Sequence, residues 1–502
     1  MNVALPLLRQ AAQRPADCAI RFEGRSVSYR ELAASAGRLA SAMLAAGIGR
    51  GDRVALYLPN VPAFAECYYA AQLLGAVTVT INAIFMTEEV RFLLDDSGAK
   101  MVFTVAELAG FVPPDCPALQ HRVIVDGEGP GSLAALLQAV PGDANAEPVD
   151  CAPGEPAALL YSSGTTGFPK GVTLTQHNID SNTATAAKYS GFRPGDRLAL
   201  FLPLFHVYGQ NYIMNGALRS GATLVMFRRF VPDVVLRAIG DERITMLFAV
   251  PTIFIALLGM DLSPYDLSSL RYEMSAAATM PEEVSRRWTE RFGRLVYEGY
   301  GLTECSPFAC YNDLTEHRFG SVGRAVDGFE LKILDEQDRE VARGQWGEIA
   351  IRGPGVMLGY WNRPQETERT LRSGWLHSGD IGRMDDDGYV YIVDRVKDMI
   401  NVSGFKVWPA EVETLLFRHP AVQEACVIGT RDPYRGESVK AVIVLREQAR
   451  ERTAPQDIVA WAREHMAAYK VPQTVEFADA LPKSGSGKVM WRLLQEKEAA
   501  GG

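Results

Sequence analysis

The segment Tyr161-Ser-Ser-Gly-Thr-Thr-Gly-Phe-Pro-Lys-Gly171 directly follows the apolar run Ala157–Leu160. Its glycines let backbone N–H groups approach a ligand, its hydroxyl side chains donate hydrogen bonds, and Lys170 supplies positive charge. A strand followed by such a loop predicts a phosphate-binding site in an α/β domain. The alternative, a flexible Ser/Gly turn, is disfavoured because the loop follows a strand and ends in Pro169-Lys170-Gly171.

The loop does not follow the two common nucleotide-binding patterns. A Walker loop ends in Gly-Lys-Ser/Thr, whereas here Lys170 follows Pro169 and precedes Gly171, and no GxGxxG follows a strand anywhere in the chain. The C-terminal Gly485-Ser-Gly-Lys488 is similar to a Walker tail only in part. Pro482 stands where the first glycine belongs and Val489 where the hydroxyl belongs. The sequence therefore predicts a phosphate loop of another kind.

The segments around this loop alternate between helix and strand. Ser28-x-x-Glu31 is a capping box that begins a helix, and the apolar strands Val54–Leu58 and Val77–Ile81 flank a helix at Pro62–Leu74. Strand–helix–strand succession with continuously apolar strands predicts a parallel sheet covered on both faces. Residues 105–155 have weaker periodicity and predict a connection with short strands, of which Arg122–Asp126 is one. The α/β pattern resumes in the strands Leu198–Leu202, Thr223–Met226 and Ile244–Ala249.

The C-terminal part of the chain has a different pattern of predicted secondary structure. From about residue 321, short strands and tight turns predict a small β-barrel, and the helix Ala410–Phe417 and strand Val439–Leu445 predict a further α+β unit. Because 502 residues exceed one compact core, we expect several domains. The predicted fold is α/β, with a large N-terminal region of two α/β subdomains plus a β-barrel (1–396) and a small mobile α+β C-terminal domain (397–502).

Composition excludes several classes of protein. Hydrophobic residues make up 47% and charged residues 22% of the chain, as in an ordinary globular enzyme, and the net charge of -9 argues against nucleic-acid binding. The N-terminus lacks the basic cluster of a secretory signal. The most apolar stretch, 247–260, is shorter than the ~18 residues of a membrane span and contains Pro251. We expect a cytoplasmic protein without a transmembrane segment.

Seven cysteines are scattered along the chain, and no two have CxxC spacing. This pattern predicts reduced thiols rather than a disulfide framework or a zinc site. Cys305 lies beside a motif described below, but no histidine is near it in sequence, so we interpret it as a packed thiol rather than a nucleophile.

Further motifs follow the phosphate loop in order and cover essentially the whole chain. They are Pro203-Leu-Phe-His-Val-Tyr-Gly209, Tyr300-Gly-Leu-Thr-Glu304, Gly347-Glu-Ile-Ala-Ile-Arg-Gly353 with Gly359-Tyr-Trp361 in the barrel, Trp375-Leu-His-Ser-Gly-Asp380, Asp394-Arg-Val-Lys-Asp-Met-Ile400, Ser403-Gly-Phe-Lys406 and Pro482-Lys-Ser-Gly-Ser-Gly-Lys488. Together with the loop, this set resembles the adenylate-forming superfamily of acyl-CoA synthetases, peptide-synthetase adenylation domains and luciferases. In pattern it is most similar to fatty acyl-CoA synthetases.

The resemblance implies a reaction in two steps, in which ATP activates a carboxylic acid as an acyl-adenylate and a thiol then takes the acyl group. It implies that Glu304, with Thr165 or Thr303 nearby, binds Mg²⁺, that the ring of Tyr300 stacks on adenine opposite Ala276–Ala278, and that Asp380 accepts the ribose hydroxyls. The implied ATP- and AMP-binding residues are Ser162, Ser163, Gly164, Thr165, Thr166, Gly167, Lys170, Ala277, Ala278, Gly299, Tyr300, Gly301, Thr303, Asp380 and Arg395.

The implied catalytic residues are Lys488, Glu304, Thr165 and His206. A lysine on a Gly-rich loop can stabilise the charge that develops between the carboxylate and the α-phosphate. Lys397 occupies the family's hinge position, about which the C-terminal domain rotates after adenylation. The segment Ser403-Gly404-Phe405 resembles the strip that meets pantetheine, so the implied cofactors are ATP, Mg²⁺ and coenzyme A.

The implied acyl pocket contains His206, Val207, Tyr208, Gly209, Ala276 and Gly299. The segment around His206 lacks the aspartate of amino-acid-activating relatives, and Glu298-Gly299 stands where malonate-type relatives carry an arginine. We therefore expect an apolar acid, a medium- or long-chain fatty acid before an aryl acid.

Two alternative activities stay open: a ligase that loads an acyl carrier protein, and an aryl-acid CoA ligase. Whether the protein forms a homodimer also stays open. A non-catalytic nucleotide or acyl binder is disfavoured, because Lys170, Glu304, Asp380, Arg395 and Lys488 are all present. Free coenzyme A is preferred over a carrier protein only because it is the commoner acceptor in the family.

Overall fold

The computed structural model describes residues 1–162, 169–312, 316–395, 399–402, 405–432, 436–485 and 487–501, and for 394, 395, 405, 406 and 499–501 it describes the backbone alone. The β-strands, numbered in chain order, are β1 Cys18–Phe22, β2 Arg25–Ser28, β3 Arg53–Tyr57, β4 Val77–Thr80, β5 Met101–Thr104, β6 His121–Ile124, β7 Pro156–Ser162, β8 Lys170–Thr175, β9 Arg197–Leu200, β10 Thr223–Met226, β11 Met246–Ala249, β12 Tyr272–Ser275, β13 Val296–Tyr300, β14 Cys310–Tyr311, β15 Arg324–Ala325, β16 Glu330–Leu334, β17 Trp346–Arg352, β18 Gly359–Tyr360, β19 Leu371–Arg372, β20 Trp375–Met384, β21 Val390–Arg395, β22 Ile400–Val402, β23 Phe405–Val407, β24 Val422–Asp432, β25 Gly436–Leu445 and β26 Thr474–Phe477.

The helices cover the sheets and connect their strands. The α-helices are α1 Leu5–Gln13, α2 Tyr29–Ala45, α3 Pro62–Leu73, α4 Thr87–Ser97, α5 Ala106–Ala109, α6 Leu133–Gln138, α7 Gln176–Ser190, α8 Gly216–Ser220, α9 Pro232–Asp241, α10 Pro251–Leu258, α11 Glu282–Phe292, α12 Pro364–Thr370, α13 Pro409–Leu416, α14 Pro455–His465 and α15 Trp491–Gly501. A π-helix spans Tyr208–Asn215, and short 3₁₀ turns span Thr303–Cys305 and Glu447–Ala449.

The first α/β unit is a seven-stranded sheet in the order β18-β8-β7-β4-β3-β5-β6. Its strands β4, β3, β5 and β6 are mutually parallel, and β7 is parallel to β4. Every residue of β4 and β5 is buried, because helices cover both faces of the sheet. The predicted capping box is confirmed: the Ser28 hydroxyl accepts the Glu31 N–H at 3.2 Å, and the Glu31 carboxylate accepts the Ser28 N–H at 2.7 Å.

The second α/β unit is a nine-stranded sheet in the order β15-β14-β13-β12-β11-β9-β10-β1-β2. Its central strands from β1 to β13 are parallel, as the resumed α/β pattern predicts. At one edge β14 pairs antiparallel with β13, at Gly299 and Tyr300. The end of β13 therefore lies where the chain leaves the sheet for the 3₁₀ turn at Thr303–Cys305.

The region predicted as a barrel is an antiparallel sheet in the order β16-β17-β20-β19, with β21 paired to β20. Two expectations are corrected. The sheet begins at Glu330 rather than near residue 321, because Arg324–Ala325 still pairs with β14 in the nine-stranded sheet. The segment Gly359–Tyr360 joins the seven-stranded sheet instead, because its backbone completes the open edge of β8.

The C-terminal region forms a sheet in the order β23-β22-β25-β24, with β26 parallel to β25. The helices α13 and α14 pack against it and α15 contacts β24, so this region has the predicted α+β character. The hinge and domain boundary at Lys397 fall within 396–398, outside the described residues. Within the part of the chain that is described, no helix is long and apolar enough to cross a membrane.

Candidate active site

Tyr300, the last residue of β13, and Asp380, on β20, meet at the junction of the nine-stranded and antiparallel sheets. The Tyr300 hydroxyl donates a hydrogen bond of 2.8 Å to Oδ2 of Asp380, and both residues are buried. Burial, and then the neighbouring Asp380 carboxylate, raises the pKa of Tyr300 well above its usual value, so the phenol stays a donor. The structure thus brings together the residues predicted for adenine and ribose.

Glu304 lies in the 3₁₀ turn that follows β13. Its Oε1 accepts hydrogen bonds from the Tyr360 hydroxyl at 2.9 Å and from the Ser162 hydroxyl at 3.4 Å. These contacts join the end of β7, the short strand β18 and the turn, so the carboxylate faces the start of the phosphate loop. Thr303 is half-buried in the same turn.

Lys170 begins β8 at the far end of the phosphate loop. Its ammonium forms an ion pair with Glu366 and lies 5.3 Å from the centre of the Tyr360 ring. Tyr360 therefore contacts both the acid and the base predicted for the phosphate site. The sequence motif included Tyr360 but did not identify it as a site residue.

His206 precedes the π-helix and is held by backbone contacts at both ends. Its N–H donates to the Pro203 carbonyl at 3.1 Å, and its carbonyl accepts the Gln210 N–H at 3.0 Å. Its Nδ1 accepts the Tyr208 N–H at 3.2 Å, which leaves the ring proton on Nε2. Burial first, and then the Lys488 ammonium, lowers the pKa of His206 to about 3, so the ring is neutral at physiological pH.

Lys488 lies on a C-terminal hairpin that docks onto the N-terminal region. Within the hairpin, the Lys488 N–H donates to the Ser484 hydroxyl at 3.2 Å, and the Ser484 N–H donates to the Lys488 carbonyl at 2.8 Å. The Thr252 hydroxyl, at the start of α10, donates to the Gly487 carbonyl at 2.8 Å. Thr252 was not predicted from the sequence, because nothing in its local pattern distinguishes it.

Gly487 allows this close approach. Its φ of +84° favours glycine, and a Cβ there would lie 2.9 Å from Cγ2 of Val250. A Cβ at the neighbouring Gly485 would lie 3.4 Å from the tip of Ile84. The hairpin thus packs against two N-terminal segments, and its lysine is close enough to lower the pKa of His206.

Gly299, one of the residues predicted for the acyl pocket, faces the opposite side of β13 from Tyr300, because side chains alternate along a strand. At Gly299 a Cβ would lie 2.4 Å from Cε of Met274 and 3.2 Å from Cε2 of Phe308, so a larger residue would collide with both. Ala276 and Ala277 are half-buried, and Ala277 has a φ of 72°, a strained conformation for a residue with a side chain.

The remaining predicted glycines and apolar residues pack closely. A Cβ at Gly209 would lie 2.4 Å from the Pro203 carbonyl oxygen, and one at Gly301 would lie 1.5 Å from that of Pro307, so both positions require glycine. Val207 and Tyr208 are buried, whereas Ala278 is exposed.

Burial raises the pKa values of two further groups, the Glu298 carboxyl and the Cys305 thiol. Burial, and then Glu282, raises the pKa of Glu298 well above its usual value, and Oε1 of Glu298 has no hydrogen-bond partner among the described residues. A second carboxylate on the substrate would find no cation at this position. Burial also raises the pKa of the Cys305 thiol to about 12, which fits a packed thiol and not a nucleophile.

Several predicted site residues lie outside the described part of the chain. They are Ser163, Gly164, Thr165, Thr166, Gly167, Lys397, Ser403 and Gly404, together with the side chains of Arg395 and Phe405. Their roles at the phosphates, the metal, the hinge and the thiol stay predictions. Among the described residues no group of three or more His, Cys, Asp or Glu side chains is arranged to hold a metal ion.

Two family sequence models match most of the chain. The sequence model of a family described as AMP-binding enzyme matches residues 7–361, and that of the AMP-binding enzyme C-terminal domain matches 411–488. The chain is 34% identical to a long-chain-fatty-acid–CoA ligase of Bacillus subtilis, over 98% of this chain and 94% of that protein. It is 36% identical to a feruloyl-CoA synthase of Amycolatopsis sp, over 96% of each protein.

Solved structures agree in fold. An anthranilate CoA ligase in complex with anthranoyl-AMP superposes with a TM-score of 0.93 at 30% identity, covering 100% of this chain and 98% of that chain. ATP-bound MatB from Rhodopseudomonas palustris superposes with a TM-score of 0.91 at 31% identity, covering 99% of each. Both structures cover the N- and C-terminal regions together.

Proposed function

The chain belongs to the AMP-binding, adenylate-forming enzymes, and on that premise we propose that it is an ATP-dependent acid–thiol ligase acting on an apolar carboxylic acid. In the first step a carboxylate oxygen bonds to the α-phosphorus of ATP and pyrophosphate leaves. In the second step the sulfur of coenzyme A bonds to the acyl carbon, AMP leaves, and the thiol proton is released. The docking of the Lys488 hairpin beside His206 is the observation that carries this proposal.

The nucleotide is bound by polar groups that already contact one another. Tyr300 offers its ring to adenine while its hydroxyl orients Asp380, whose carboxylate is thereby positioned to accept ribose hydroxyls. Lys170 is paired with Glu366, so binding the phosphates requires it to exchange one anionic partner for another. The ion pair with Glu366 compensates the lysine charge when no substrate is bound.

Glu304 fits a magnesium ion that also binds substrate phosphates. Mg²⁺ is usually held through one or two carboxylates together with phosphate oxygens and waters, and Glu304 presents one carboxylate beside the phosphate loop with Oε1 oriented by two hydroxyls. When bound, the ion would neutralise charge on the phosphates. Thr165 is the predicted second oxygen donor.

Lys488 and His206 stabilise the negative charge that develops as the carboxylate approaches the α-phosphate. The neutral His206 presents an Nε2–H donor, and Lys488 is the cation that offsets the charge of the carboxylate and the α-phosphate as they approach. A protonated imidazole would add a second cation beside Lys488 and lower the nucleophilicity of the carboxylate further. A neutral His206 ring therefore suits the first step.

Two classes of acid remain candidates. Relatives that include a long-chain-fatty-acid–CoA ligase support the medium- or long-chain fatty acid predicted from the sequence. The lining supports an aryl acid, because Phe308 and Met274 occupy the space beyond Gly299 and Tyr212 packs edge-on against Phe308 at 5.0 Å between ring centres.

A graded panel of acids tests the proposal. Straight-chain fatty acids of increasing length and aryl acids would each be assayed for pyrophosphate and AMP release, with and without coenzyme A. We expect pyrophosphate release with ATP and an apolar acid, and acyl-CoA only when coenzyme A is added. Transfer to an acyl carrier protein but not to free coenzyme A would instead identify a carrier-protein ligase, and no AMP from any acid would refute the proposal.

A further inference from the structure

Asp96, near the C-terminus of α4, contacts residues beside both ends of the phosphate loop. Its Oδ2 accepts the Tyr161 hydroxyl at 2.8 Å, and its Oδ1 accepts a guanidinium N–H of Arg363 at 2.8 Å. Its backbone carbonyl accepts the indole N–H of Trp361 at 3.1 Å. The Asp96 side chain is only 10% exposed, so the surrounding protein largely shields these charge-assisted contacts from water.

Tyr161 connects Asp96 to the strand that enters the phosphate loop. It is the residue before Ser162, the last residue of β7, and it pairs with Gly171 of β8. Burial first, and then the Asp96 carboxylate, raises the pKa of Tyr161, so its phenol stays a hydrogen-bond donor. The hydrogen bond to Asp96 therefore fixes β7 directly before the loop begins.

Trp361 connects Asp96 to the strand that leaves the loop. The Trp361 N–H donates to the Gly171 carbonyl at 2.7 Å. A Cβ at Gly171 would lie 3.2 Å from Cβ of Trp361 and 3.2 Å from Cζ of Tyr161, so the two aromatic residues enclose this glycine. Because Gly171 directly follows Lys170, the position of Trp361 also determines where the lysine leaves the strand.

The segment 359–363, which we name the strap, carries these contacts to the charged groups of the phosphate site. Its residue Tyr360 donates its hydroxyl to Glu304 at 2.9 Å. Its last residue, Arg363, immediately precedes α12, whose Glu366 forms the ion pair with Lys170. A displacement of the strap would therefore displace the partners of both the acid and the base of this site.

Arg53 holds the end of α4 on which Asp96 lies. Its Nε donates to the Ser97 carbonyl at 2.9 Å, and its Nη2 donates to the Gly98 carbonyl at 3.1 Å. Its guanidinium also lies 5.8 Å from the centre of the Trp361 ring. Carbonyls at a helix C-terminus lack partners within the helix, so these bonds fix the helix end against the strap.

We propose that Asp96 is a positioning residue that holds both ends of the phosphate loop in place for ATP. This inference rests on the proposed function, because it requires the loop to bind the phosphates of ATP. A loop whose ends are fixed loses less conformational freedom when a ligand orders it, so more of the contact energy contributes to affinity. Asp96 acts through Tyr161, Trp361 and Arg363 and takes no part in bond making.

The main test is Asp96→Asn, which keeps the shape of the side chain. An amide has one oxygen where the carboxylate has two, so Tyr161 and Arg363 cannot both keep their acceptor. With the acid that the panel identifies as best, we expect the KM for ATP in pyrophosphate release to rise by roughly 10-fold, and kcat to change less. Thioester formation from supplied acyl-adenylate should stay within about twofold of the wild-type rate, because that step holds no β- or γ-phosphate.

Tyr161→Phe tests the path from Asp96 to the loop by a smaller change. It removes only the 2.8 Å hydrogen bond to Asp96, so the KM for ATP should rise by roughly threefold. The double variant should be little worse than Asp96→Asn alone, because the two residues act through the same contact. Fully additive effects of the two substitutions would contradict this path. Should Asp96→Asn fail to fold, Tyr161→Phe carries the same comparison of the two half-reactions.

Asp196→Asn is the matched control, because Asp196 is also a buried carboxylate that accepts from an arginine and a hydroxyl. Its Oδ2 accepts from Arg271 at 2.6 Å and its Oδ1 accepts the Thr245 hydroxyl at 3.0 Å. It directly precedes β9, whereas Tyr300 ends β13 in the same sheet of parallel strands, so the two lie at opposite edges. We expect Asp196→Asn to lower the melting temperature and to leave the KM for ATP unchanged.

The outcomes separate this inference from the function on which it rests. An unchanged KM for ATP in Asp96→Asn, with a lower melting temperature as in Asp196→Asn, would show that Asp96 only stabilises the fold and would overturn the inference. Equal losses in adenylation and in thioester formation would also overturn it. Failure of the wild-type enzyme to release pyrophosphate with any acid would refute the ligase itself.

Discussion

The nucleotide side and the acyl side of the site are built in different ways. On the nucleotide side, Tyr300, Asp380 and Glu304 each lie in a short polar motif. The Tyr300 hydroxyl donates to Asp380 at 2.8 Å, and Glu304 accepts from the hydroxyls of Tyr360 at 2.9 Å and Ser162 at 3.4 Å. On the acyl side, Gly299 meets Met274 and Phe308, which carry no motif of their own. The comparison indicates that the residues predicted for the nucleotide lie in local motifs, whereas those predicted to select the acid depend on packing between distant segments.

The largest effect is expected at Lys488, which is predicted to act where the acid meets the α-phosphate. Lys488→Ala removes the cation at the reacting carboxylate, so adenylation should fall by roughly 10²- to 10³-fold. Supplied acyl-adenylate should still be converted to thioester, as measured by acyl-CoA formation. Lys483→Ala is the control, because Lys483 lies in the same hairpin but pairs with Glu424 at 3.0 Å. Equal loss in both half-reactions would contradict the role of Lys488.

On the nucleotide side, Asp380→Ala removes the carboxylate predicted to bind ribose. Because charge-assisted hydrogen bonds contribute about 1.5–3 kcal/mol each, we expect kcat/KM for ATP to fall by on the order of 100-fold. All acids should be affected alike in an adenylation assay. Tyr300→Phe keeps the ring and removes only the 2.8 Å hydrogen bond to Asp380, so its effect should be much smaller. A change in acid preference from Asp380→Ala would break the distinction between the two sides.

On the acyl side, Gly299→Ala places a Cβ 2.4 Å from Cε of Met274 and narrows the pocket. Because the methionine end is flexible, the protein should fold, but kcat/KM for the preferred acid should fall by roughly 10-fold. Although Gly299 is also among the residues predicted to bind ATP, its Cβ would face away from Tyr300, so the KM for ATP should stay within about twofold of the wild-type value. Comparable losses for ATP and for the acid would show that the two sides are not separable.

The smallest effect is expected where the hairpin docks. Thr252→Val removes the hydroxyl that donates to the Gly487 carbonyl, so adenylation should slow by about fivefold, the equivalent of one neutral hydrogen bond of about 1 kcal/mol. Thioester formation from supplied acyl-adenylate should be unchanged, and Thr252→Ser should restore adenylation. If the serine variant is as slow as the valine variant, the hydroxyl does not position the hairpin.

Much of the fold was predictable because its signals are local. Apolar runs predicted β3, β4 and β10 almost to the residue, and the Ser28 capping box placed the start of α2. Short strands were harder: Gly359–Tyr360 pairs with β8 in the seven-stranded sheet, and a segment of two residues has no periodicity from which its partner can be read.

The sequence by itself determined the family and the α/β class, and it predicted the polar residues of the nucleotide side. Glycines, hydroxyls and charges in short motifs indicate their chemistry without knowledge of distant segments. Only the tertiary structure showed that Tyr360 bridges Glu304 and Lys170, that Thr252 receives the lysine hairpin, and that the Tyr208 hydroxyl is buried without a partner among the described residues. The physical reason is that burial and hydrogen bonding depend on which distant segments meet. The local sequence around a tyrosine or threonine does not show whether the residue lies in the core or in a functional site.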